Sequence, residues 1–142
     1  MDHVFITGRG NVALDAAAAE IGKNVTAVQG DVSNLADLDR LYDTVKKHER
    51  KIDIIVANAG LAKLAPFDTV DEKFFDLHFD ANVKGLFFSV QKGLPLMKNG
   101  GSIILTGSIA DIKGFPAMSV YSATKGNCSR EERNPDRATV RG

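Results

Sequence analysis

Tyr121 and Lys125 stand four residues apart in the segment Tyr-Ser-Ala-Thr-Lys. If the segment is helical, the phenol and the ammonium lie on one helix face. A nearby ammonium stabilises a phenolate, so such a tyrosine can exchange a proton with an alcohol or a ketone. Ser108, 13 residues upstream, offers a hydroxyl to the same substrate oxygen. Each feature alone is usually structural, a solvated helix pair or a turn residue, but the combination indicates catalysis.

The chain alternates between strand-like and helix-like patterns of apolar residues. Short apolar or β-branched runs predict strands at 3–7, 24–28, 52–56 and 102–106. Apolar residues at helical spacing predict helices at 12–21, at 35–45, from 74 to 97 in one or two pieces, and from about Ser119. This alternation indicates an α/β fold, a parallel sheet with flanking helices. The run at 52–56 is apolar at nearly every position, which predicts a strand buried on both faces.

Small and polar residues follow these strands at their carboxyl ends. In parallel sheets, ligands bind at that edge. The residues found there are Gly8 with Arg9, Asp31, Asn58 to Gly60, and Gly107 with Ser108. The sequence therefore places a candidate binding site at the carboxyl edge of the sheet.

Four motifs occur in an order and at separations that resemble the short-chain dehydrogenase/reductase family. They are Asn58-Ala59-Gly60, Asn82-Val83-Lys84-Gly85, Ser108, and Tyr121-x-x-x-Lys125, with steps of 24, 26, 13 and 4 residues between functional positions. Asp31-Val32, 27 residues before Asn58, fits the family's adenine-side aspartate. The resemblance covers residues 3–125. One departure is Ala57, where the family usually has a second asparagine.

The resemblance implies an incomplete Rossmann-like fold and an NAD(P)-dependent oxidoreductase acting on a small-molecule alcohol or ketone. By that similarity Tyr121 is the general acid/base, and Ser108 orients the substrate oxygen. Lys125 would assist Tyr121 and bind the nicotinamide ribose, and Asn82 would hold a helix and a proton-relay water. Asp31 and Val32 would contact the adenine, while Asn58, Ala59 and Gly60 would form the wall beside the cofactor.

The segment Thr7-Gly8-Arg9-Gly10-Asn11-Val12-Ala13 leaves two alignments open. It lacks the family's Thr-Gly-x-x-x-Gly-x-Gly loop but satisfies the looser Gly-x-Gly-x-x-Ala pattern. In one alignment, residues 3–7 form the first strand of a small complete Rossmann module, and Asp31 binds the ribose of NAD. In the other, residues 3–7 are the family's second strand, and the first strand, its glycine loop and its helix are absent.

We favour the second alignment because of chain length. Thr7 lies only 24 residues before Asp31, too few for the strands and helices of two crossovers. Gly8 then takes the place of the family's ribose-binding acid, and Arg9 follows it. An arginine pairs with a 2′-phosphate that an acid would repel, so the prediction is NADP over NAD.

The strand order distinguishes the two alignments. If the first strand is absent, the strand at 3–7 has the strand at 24–28 on one side. Its other side is either an empty slot or the strand at 52–56. The strand at 52–56 in turn neighbours the strand at 102–106. In an ordinary Rossmann half, the strand at 52–56 pairs instead with the outer side of the strand at 24–28.

The predicted organisation is a partial core at 1–125 followed by a disordered, non-family tail at 126–142, since Gly126 to Gly142 is polar and aperiodic. The pattern reads as a family core truncated at both ends, as a frameshift or a gene fragment would produce. This puts the activity of the chain itself in question. The alternative hypothesis is a non-catalytic fragment that binds partners without a cofactor.

Composition excludes several other classes of function. With 142 residues and a formal net charge of +0, we expect one domain and no nucleic-acid partner. No apolar run approaches the ~18 residues of a membrane span, so we expect a cytoplasmic protein. One cysteine and three scattered histidines predict no metal site. We expect a solvated helix face at Asp76, His78 and Asp80. The family resemblance implies that the protein can self-associate through the helices at 74–97 and at Tyr121.

Overall fold

The computed structural model describes residues 3–48 and 51–131, which form four strands and five α-helices. The strands are β1 (Val4–Gly8), β2 (Val25–Gln29), β3 (Ile52–Ala57) and β4 (Met97–Leu105). The helices are α1 (Asn11–Ile21), α2 (Leu35–Lys47), α3 (Glu72–Phe79), α4 (Leu86–Gly93) and α5 (Ser119–Glu131). The predicted α/β class is confirmed, because parallel strands alternate with flanking helices along the chain.

The four strands form two separate parallel pairs. β1 lies beside β2, from Val4 opposite Val25 to Gly8 opposite Gln29. β3 lies beside β4, from Ile54 opposite Ser102 to Ala57 opposite Leu105. Among the described residues, no ladder joins one pair to the other. β3 is therefore not bonded to β2, as a complete Rossmann half would require, and β1 keeps an open edge where the favoured alignment places an absent strand.

The sheet formed by β3 and β4 is covered on one face only. Ile55, Ala57, Ile103 and Leu105 are buried and pack with Leu86 of α4. On the other face, Ile54 and Val56 are each 59% exposed, and Ile104 beside them is 41% exposed. The prediction that β3 is buried on both faces is wrong for the described residues. The apolar composition suits a strand with two covered faces, but α4 supplies only one cover.

Helix packing joins the two strand pairs. α1 packs on β1 and β2, while α2 lies between β2 and α4. Leu38, Tyr42 and Val45 form the buried stripe of α2. The Tyr42 hydroxyl donates a hydrogen bond to the carbonyl of Ser89, which fixes α2 against α4.

The helical run predicted from 74 to 97 is divided into several segments. α3 continues into a π-helical segment, Asp80–Gly85, then α4, and then a 3₁₀ turn, Leu94–Leu96. Met97 already belongs to β4, so the predicted end of the helix is too late. Sequence periodicity misses the start of β4 because the strand opens irregularly, with Gly100 at a φ of +80° and a register shift between Ile52 and Ile54.

The helix α5 extends past the predicted core boundary at residue 125. Its backbone remains helical to Glu131, which includes the first part of the segment expected to be a disordered tail. Residues 132–142 lie outside the described residues, and the division into a core at 1–125 and a disordered tail at 126–142 stays a prediction. In the described part of the chain, no helix combines the length and the apolar character needed to cross a bilayer.

Candidate active site and nucleotide cavity

A cavity of about 150 Å³ opens at the carboxyl ends of β1, β2 and β3. Five of the residues that were predicted from the sequence to bind the cofactor line it, namely Arg9, Asp31, Val32, Ala59 and Gly60. Gly8, which the sequence also places at this edge, lines the cavity as well. The sequence did not point to the remaining lining residues, Thr7, Gly30, Ser33, Leu61, Leu77 and Ala81. Asn58 is exposed and does not line this cavity.

The loop after β2 is held in place by its own hydrogen bonds. One carboxylate oxygen of Asp31 accepts from the Ser33 backbone N–H at 2.9 Å and from the Ser33 hydroxyl at 2.7 Å. The Asp31 N–H donates to the Asp37 carboxylate at 2.8 Å, and Arg40 pairs with Asp37 at 2.9 Å. The hydrogen bond from Asp31, aided by Arg40, keeps the pKa of Asp37 below its usual value. These bonds fix the orientation of Asp31 at the cavity.

The loop after β1 is tied to β2 beside the cavity. The Gln29 side-chain amide donates to the carbonyl of Arg9 at 3.1 Å, and the Gly30 N–H donates to the carbonyl of Gly8 at 2.9 Å. Arg40 in turn donates to the carbonyl of Gln29 at 2.7 Å. The backbone of Arg9 is therefore fixed, while the residue is exposed and lines the cavity.

Asn82 lies in the π-helical segment and is only 4% exposed. Its Oδ1 accepts from the Leu61 N–H at 2.8 Å, and its Nδ2 donates to the Leu61 carbonyl at 2.9 Å. The same Nδ2 donates to Thr124 Oγ1 of α5 at 3.0 Å. Local π-helical turns are frequent at functional sites because they re-aim a side chain within a helix. Here Asn82 joins the loop after β3 to the helix that carries Tyr121.

Two glycines allow the close approach of these elements. A Cβ at Gly60 would lie 2.9 Å from Asn82 Oδ1. A Cβ at Gly85 would lie 2.8 Å from Val32 Cγ2 and 3.1 Å from the Val32 carbonyl. Gly85 belongs to the Asn-Val-Lys-Gly motif, but its contact with the Asp31–Val32 loop is visible only in the structure. The motif thus contacts both the Asp31–Val32 loop beside the cavity and the Asn82 network.

Tyr121 and Lys125 lie on one face of α5, as predicted. Lys125 is 7% exposed, and its Nζ donates to the carbonyl of Thr106 at 2.9 Å, just past the end of β4. The same Nζ lies 5.8 Å from the centre of the Tyr121 ring. Thr124, 1% exposed, donates its hydroxyl to the Tyr121 carbonyl at 2.7 Å. Thr124 and Thr106 are therefore structural partners of the site that sequence spacing did not indicate.

Ser108 begins the 3₁₀ turn Ile109–Asp111. Its Oγ accepts from the Ala110 N–H at 3.2 Å, so the serine caps this turn. The turn packs against α5, which brings Ser108 to the helix of Tyr121 and Lys125. A hydroxyl that accepts from a backbone N–H still has its own proton to donate. Capping and substrate binding are therefore compatible at Ser108.

His78 contradicts the sequence expectation of a solvated helix face. The side chain is 0% exposed, and both of its ring nitrogens have backbone partners. Periodicity alone did not reveal this, because Asp76 and Asp80 on either side are polar. One of these partners, the Lys63 N–H, comes from the loop after β3, and α5 packs against α3.

Comparison with known proteins identifies the relatives of this chain. A family model described as short chain dehydrogenase matches residues 2–130. An oxidoreductase, asL5, from Sarocladium schorii is 49% identical over 124 residues, which cover 86% of this chain and 50% of that protein. Elsinochrome reductase 1 from Elsinoe fawcettii is 38% identical over 106 residues, covering 74% of this chain and 40% of that protein.

A solved structure agrees with these sequence relationships. Serine dehydrogenase from Escherichia coli superimposes with a TM-score of 0.84 at 30% identity, over 97% of this chain and 67% of that one. The chain spans about half the length of the two curated relatives. The family match extends almost to the last described residue of α5 and includes every motif described above. The chain belongs to the short-chain dehydrogenase family.

Proposed function

We propose that the protein containing this chain is an NADP(H)-preferring oxidoreductase that interconverts a small-molecule alcohol and a ketone. The placement of Tyr121 and Lys125 carries this proposal. Both lie on one face of α5, and Lys125 is anchored to the carbonyl of Thr106 at the carboxyl end of β4. This is the edge at which parallel sheets bind ligands.

The roles that we propose follow from the chemistry of each group. In the reducing direction, the Tyr121 phenol donates its proton to the substrate oxygen, and in the oxidising direction the phenolate takes that proton back. Ser108 donates a hydrogen bond to the same oxygen and holds it in place. Lys125 provides a positive charge beside the phenol and binds the nicotinamide ribose. The nicotinamide, when bound, supplies or accepts the hydride.

The cavity residues fit the adenosine end of a dinucleotide. Val32, Leu61 and Leu77 give apolar surface for an aromatic base, and Asp31 has its carboxylate fixed by Ser33. Arg9 lines the same cavity and supports NADP over NAD, because a guanidinium pairs with a phosphate bidentately. Asn58, Ala59 and Gly60 would form the wall toward the nicotinamide. The described residues contain no glycine-rich pyrophosphate loop, so we expect weak affinity from the chain alone.

Location and assembly are further parts of the proposal. We expect a cytoplasmic protein that self-associates through α3, α4 and α5. Phe75 of α3 and Phe87 of α4 support this, since they are 43% and 45% exposed and large aromatic side chains are enriched in interfaces. Sedimentation of the protein at several concentrations tests the assembly.

The experiment compares this chain with a chimera. The chimera joins the chain to the segments of the Sarocladium schorii oxidoreductase that lie outside the matched region. NADPH binding is measured by calorimetry, and NADPH oxidation is followed with a panel of aliphatic and aromatic ketones. We expect the chimera to bind NADPH and turn over, and the chain alone to bind very weakly.

Variants of the chimera then test the assigned roles. Tyr121→Phe should abolish turnover and leave NADPH affinity unchanged, while Ser122→Ala, one residue away on α5, should retain both. Turnover in Tyr121→Phe would remove Tyr121 from its role. A chimera that does not bind NADPH would reject the nucleotide proposal, and micromolar binding by the chain alone would show that no further loop is needed.

A further inference from the structure

His78 is fully buried on α3, and its hydrogen-bond partners determine its tautomer. Its Nδ1 lies 2.8 Å from the Phe74 carbonyl, and its Nε2 lies 3.1 Å from the Lys63 backbone nitrogen. A carbonyl only accepts and a backbone N–H only donates. The proton therefore resides on Nδ1, and Nε2 is the acceptor for Lys63. A proton on Nε2 would place two donors against each other and break the bond to Lys63.

Lys63 belongs to the loop that forms one wall of the nucleotide cavity. Ala59, Gly60 and Leu61 of this loop line the cavity, and the loop continues through Lys63. The side chains at the start of this loop contribute little to the core, because Asn58, Ala59 and Gly60 are all exposed. Farther along, the Ala65 N–H donates to the carbonyl of Ala117 at 3.0 Å, but between Asn58 and Lys63 the backbone is held by side chains that bind it.

Two side chains one helical turn apart bind this backbone. Asn82 binds both backbone groups of Leu61, and His78, four residues earlier, binds the N–H of Lys63. Four residues of helix rise by ~6 Å, and two residues of extended chain span up to ~7 Å. The spacing of the two side chains thus matches the spacing of the two backbone sites. One helix face holds the wall loop at two successive points.

We infer that His78 is a positioning residue of the nucleotide cavity, acting through the Lys63 N–H on the wall formed by Ala59, Gly60 and Leu61. The inference rests on the proposed function in one respect, that this cavity takes the adenosine end of NADP(H). The alternative is a packing role, in which His78 only fills space in the core. The contact between the His78 and Phe74 rings, 4.5 Å between centroids, would suffice for that role. In a packing role the shape of the ring matters, whereas in a positioning role the acceptor at Nε2 matters.

Two amide substitutions in the chain separate these roles. In His78→Gln the side-chain amide reaches the place of Nε2 and can accept from Lys63. In His78→Asn the shorter amide reaches the place of Nδ1 and can donate to Phe74 but leaves Lys63 without its acceptor. Amide hydrogen exchange, followed residue by residue by NMR, reports on the wall at Lys63 and Leu61. The Ile103 and Leu105 amides of the core report global stability.

We expect exchange at Lys63 and Leu61 to rise about tenfold in His78→Asn relative to the core amides, as for the loss of one buried hydrogen bond. His78→Gln should restore the wild-type rates. In the chimera, NADP⁺ titrations followed by chemical shift should give a larger dissociation constant, and so a lower affinity, for His78→Asn only. Equal behaviour of the two variants in the exchange measurement would overturn the inference.

Measurements on the wild-type chain keep the inference testable if a variant does not fold. The ring ¹⁵N shifts of His78 should report the Nδ1–H tautomer, and the Lys63 amide should be protected. An Nε2–H tautomer with an unprotected Lys63 amide would contradict the inference. Absence of any NADP⁺ response in the wild-type chimera would count against the proposed nucleotide site, while the exchange rates at Lys63 and Leu61 would still decide the role of His78.

Discussion

The side chains of Asn82 and Thr124 meet at 3.0 Å, across 42 residues of sequence. Thr124 accepts from Asn82 and donates to the carbonyl of Tyr121, so one hydroxyl connects the π-helical segment to the first turn of α5. Asn82 in turn binds Leu61 of the cavity wall. The wall of the cavity and the Tyr121 helix are therefore connected by a chain of hydrogen bonds, of which the one between Asn82 and Thr124 is buried.

The first prediction concerns this hydroxyl. Thr124→Val keeps the shape of the side chain but leaves the Asn82 amide and the Tyr121 carbonyl each without one partner. We expect a loss of about 1–3 kcal/mol in the free energy of unfolding, measured by denaturant titration. Thr124→Ser retains the hydroxyl and should lose less. A valine variant as stable as wild type would show that the two hydrogen bonds of Thr124 contribute nothing to the free energy of unfolding.

The second prediction concerns the close approach at Gly85. In Gly85→Ala the new methyl group meets Val32 at 2.8 Å, and the nearby Val32 backbone limits relaxation. We expect destabilisation of about 1–3 kcal/mol from overpacking, exceeding the ~1 kcal/mol that alanine gains in helix propensity. Gly114→Ala is the control, because a Cβ there meets nothing within 4 Å. Thermal unfolding of both variants tests the difference, and equal melting temperatures would contradict it.

The third prediction is a dependence of stability on alkaline pH. Burial against α4 raises the pKa of Tyr42 from 10.0 to about 12. The unfolded chain loses this proton first, so the stabilisation is complete below pH 10 and is lost as pH rises toward 12. The expected slope is about 1.4 kcal/mol per pH unit in that interval. It is measured as the difference between wild type and Tyr42→Phe, and a constant difference over this range would argue against it.

The fourth prediction concerns Arg9 and the choice of nucleotide. Arg9→Ala in the chimera should lower NADP⁺ affinity about tenfold or more and leave NAD⁺ affinity unchanged, because a charge-assisted pair is lost only with the 2′-phosphate. Calorimetric titrations with both nucleotides measure the effect. Lys23→Ala, an exposed change outside the cavity lining, is the control. An equal loss of affinity for both nucleotides would mean that Arg9 does not distinguish NADP⁺ from NAD⁺.

The fifth prediction concerns the uncovered face of β3. Ile54→Thr with Val56→Thr keeps the β-propensity of the strand and removes apolar surface that is 59% exposed at each residue. We expect less nonspecific aggregation by light scattering and little change in stability, because this face is separate from the proposed assembly surface of α3, α4 and α5. Ile55→Thr, on the buried face of the same strand, should destabilise the chain without reducing aggregation. If the double variant aggregates as much as wild type and Ile55→Thr aggregates less, the exposed face of β3 does not cause the aggregation.

The sequence alone determined the element types and the order of the motifs. The period of the apolar residues, two in a strand and 3.6 in a helix, follows from local geometry. Three of the four strands and most of the helices were therefore predicted within a few residues, whereas β4 begins five residues before its predicted start. The shared face of Tyr121 and Lys125 is likewise a local consequence of helix geometry. The family resemblance followed from the spacing of short motifs, and residues 2–130 match the family model.

Only the tertiary structure decided which of these elements touch. The separation of the two strand pairs, the contact of Gly85 with Val32, and the bonds of Asn82 to Leu61 and Thr124 all join segments distant in sequence. The same holds for His78, whose polar neighbours in sequence predicted exposure, whereas the side chain is fully buried and accepts from Lys63 of the loop after β3. Such contacts depend on which surfaces pack together and leave no period in the sequence, because the pattern of one segment carries no information about its partner.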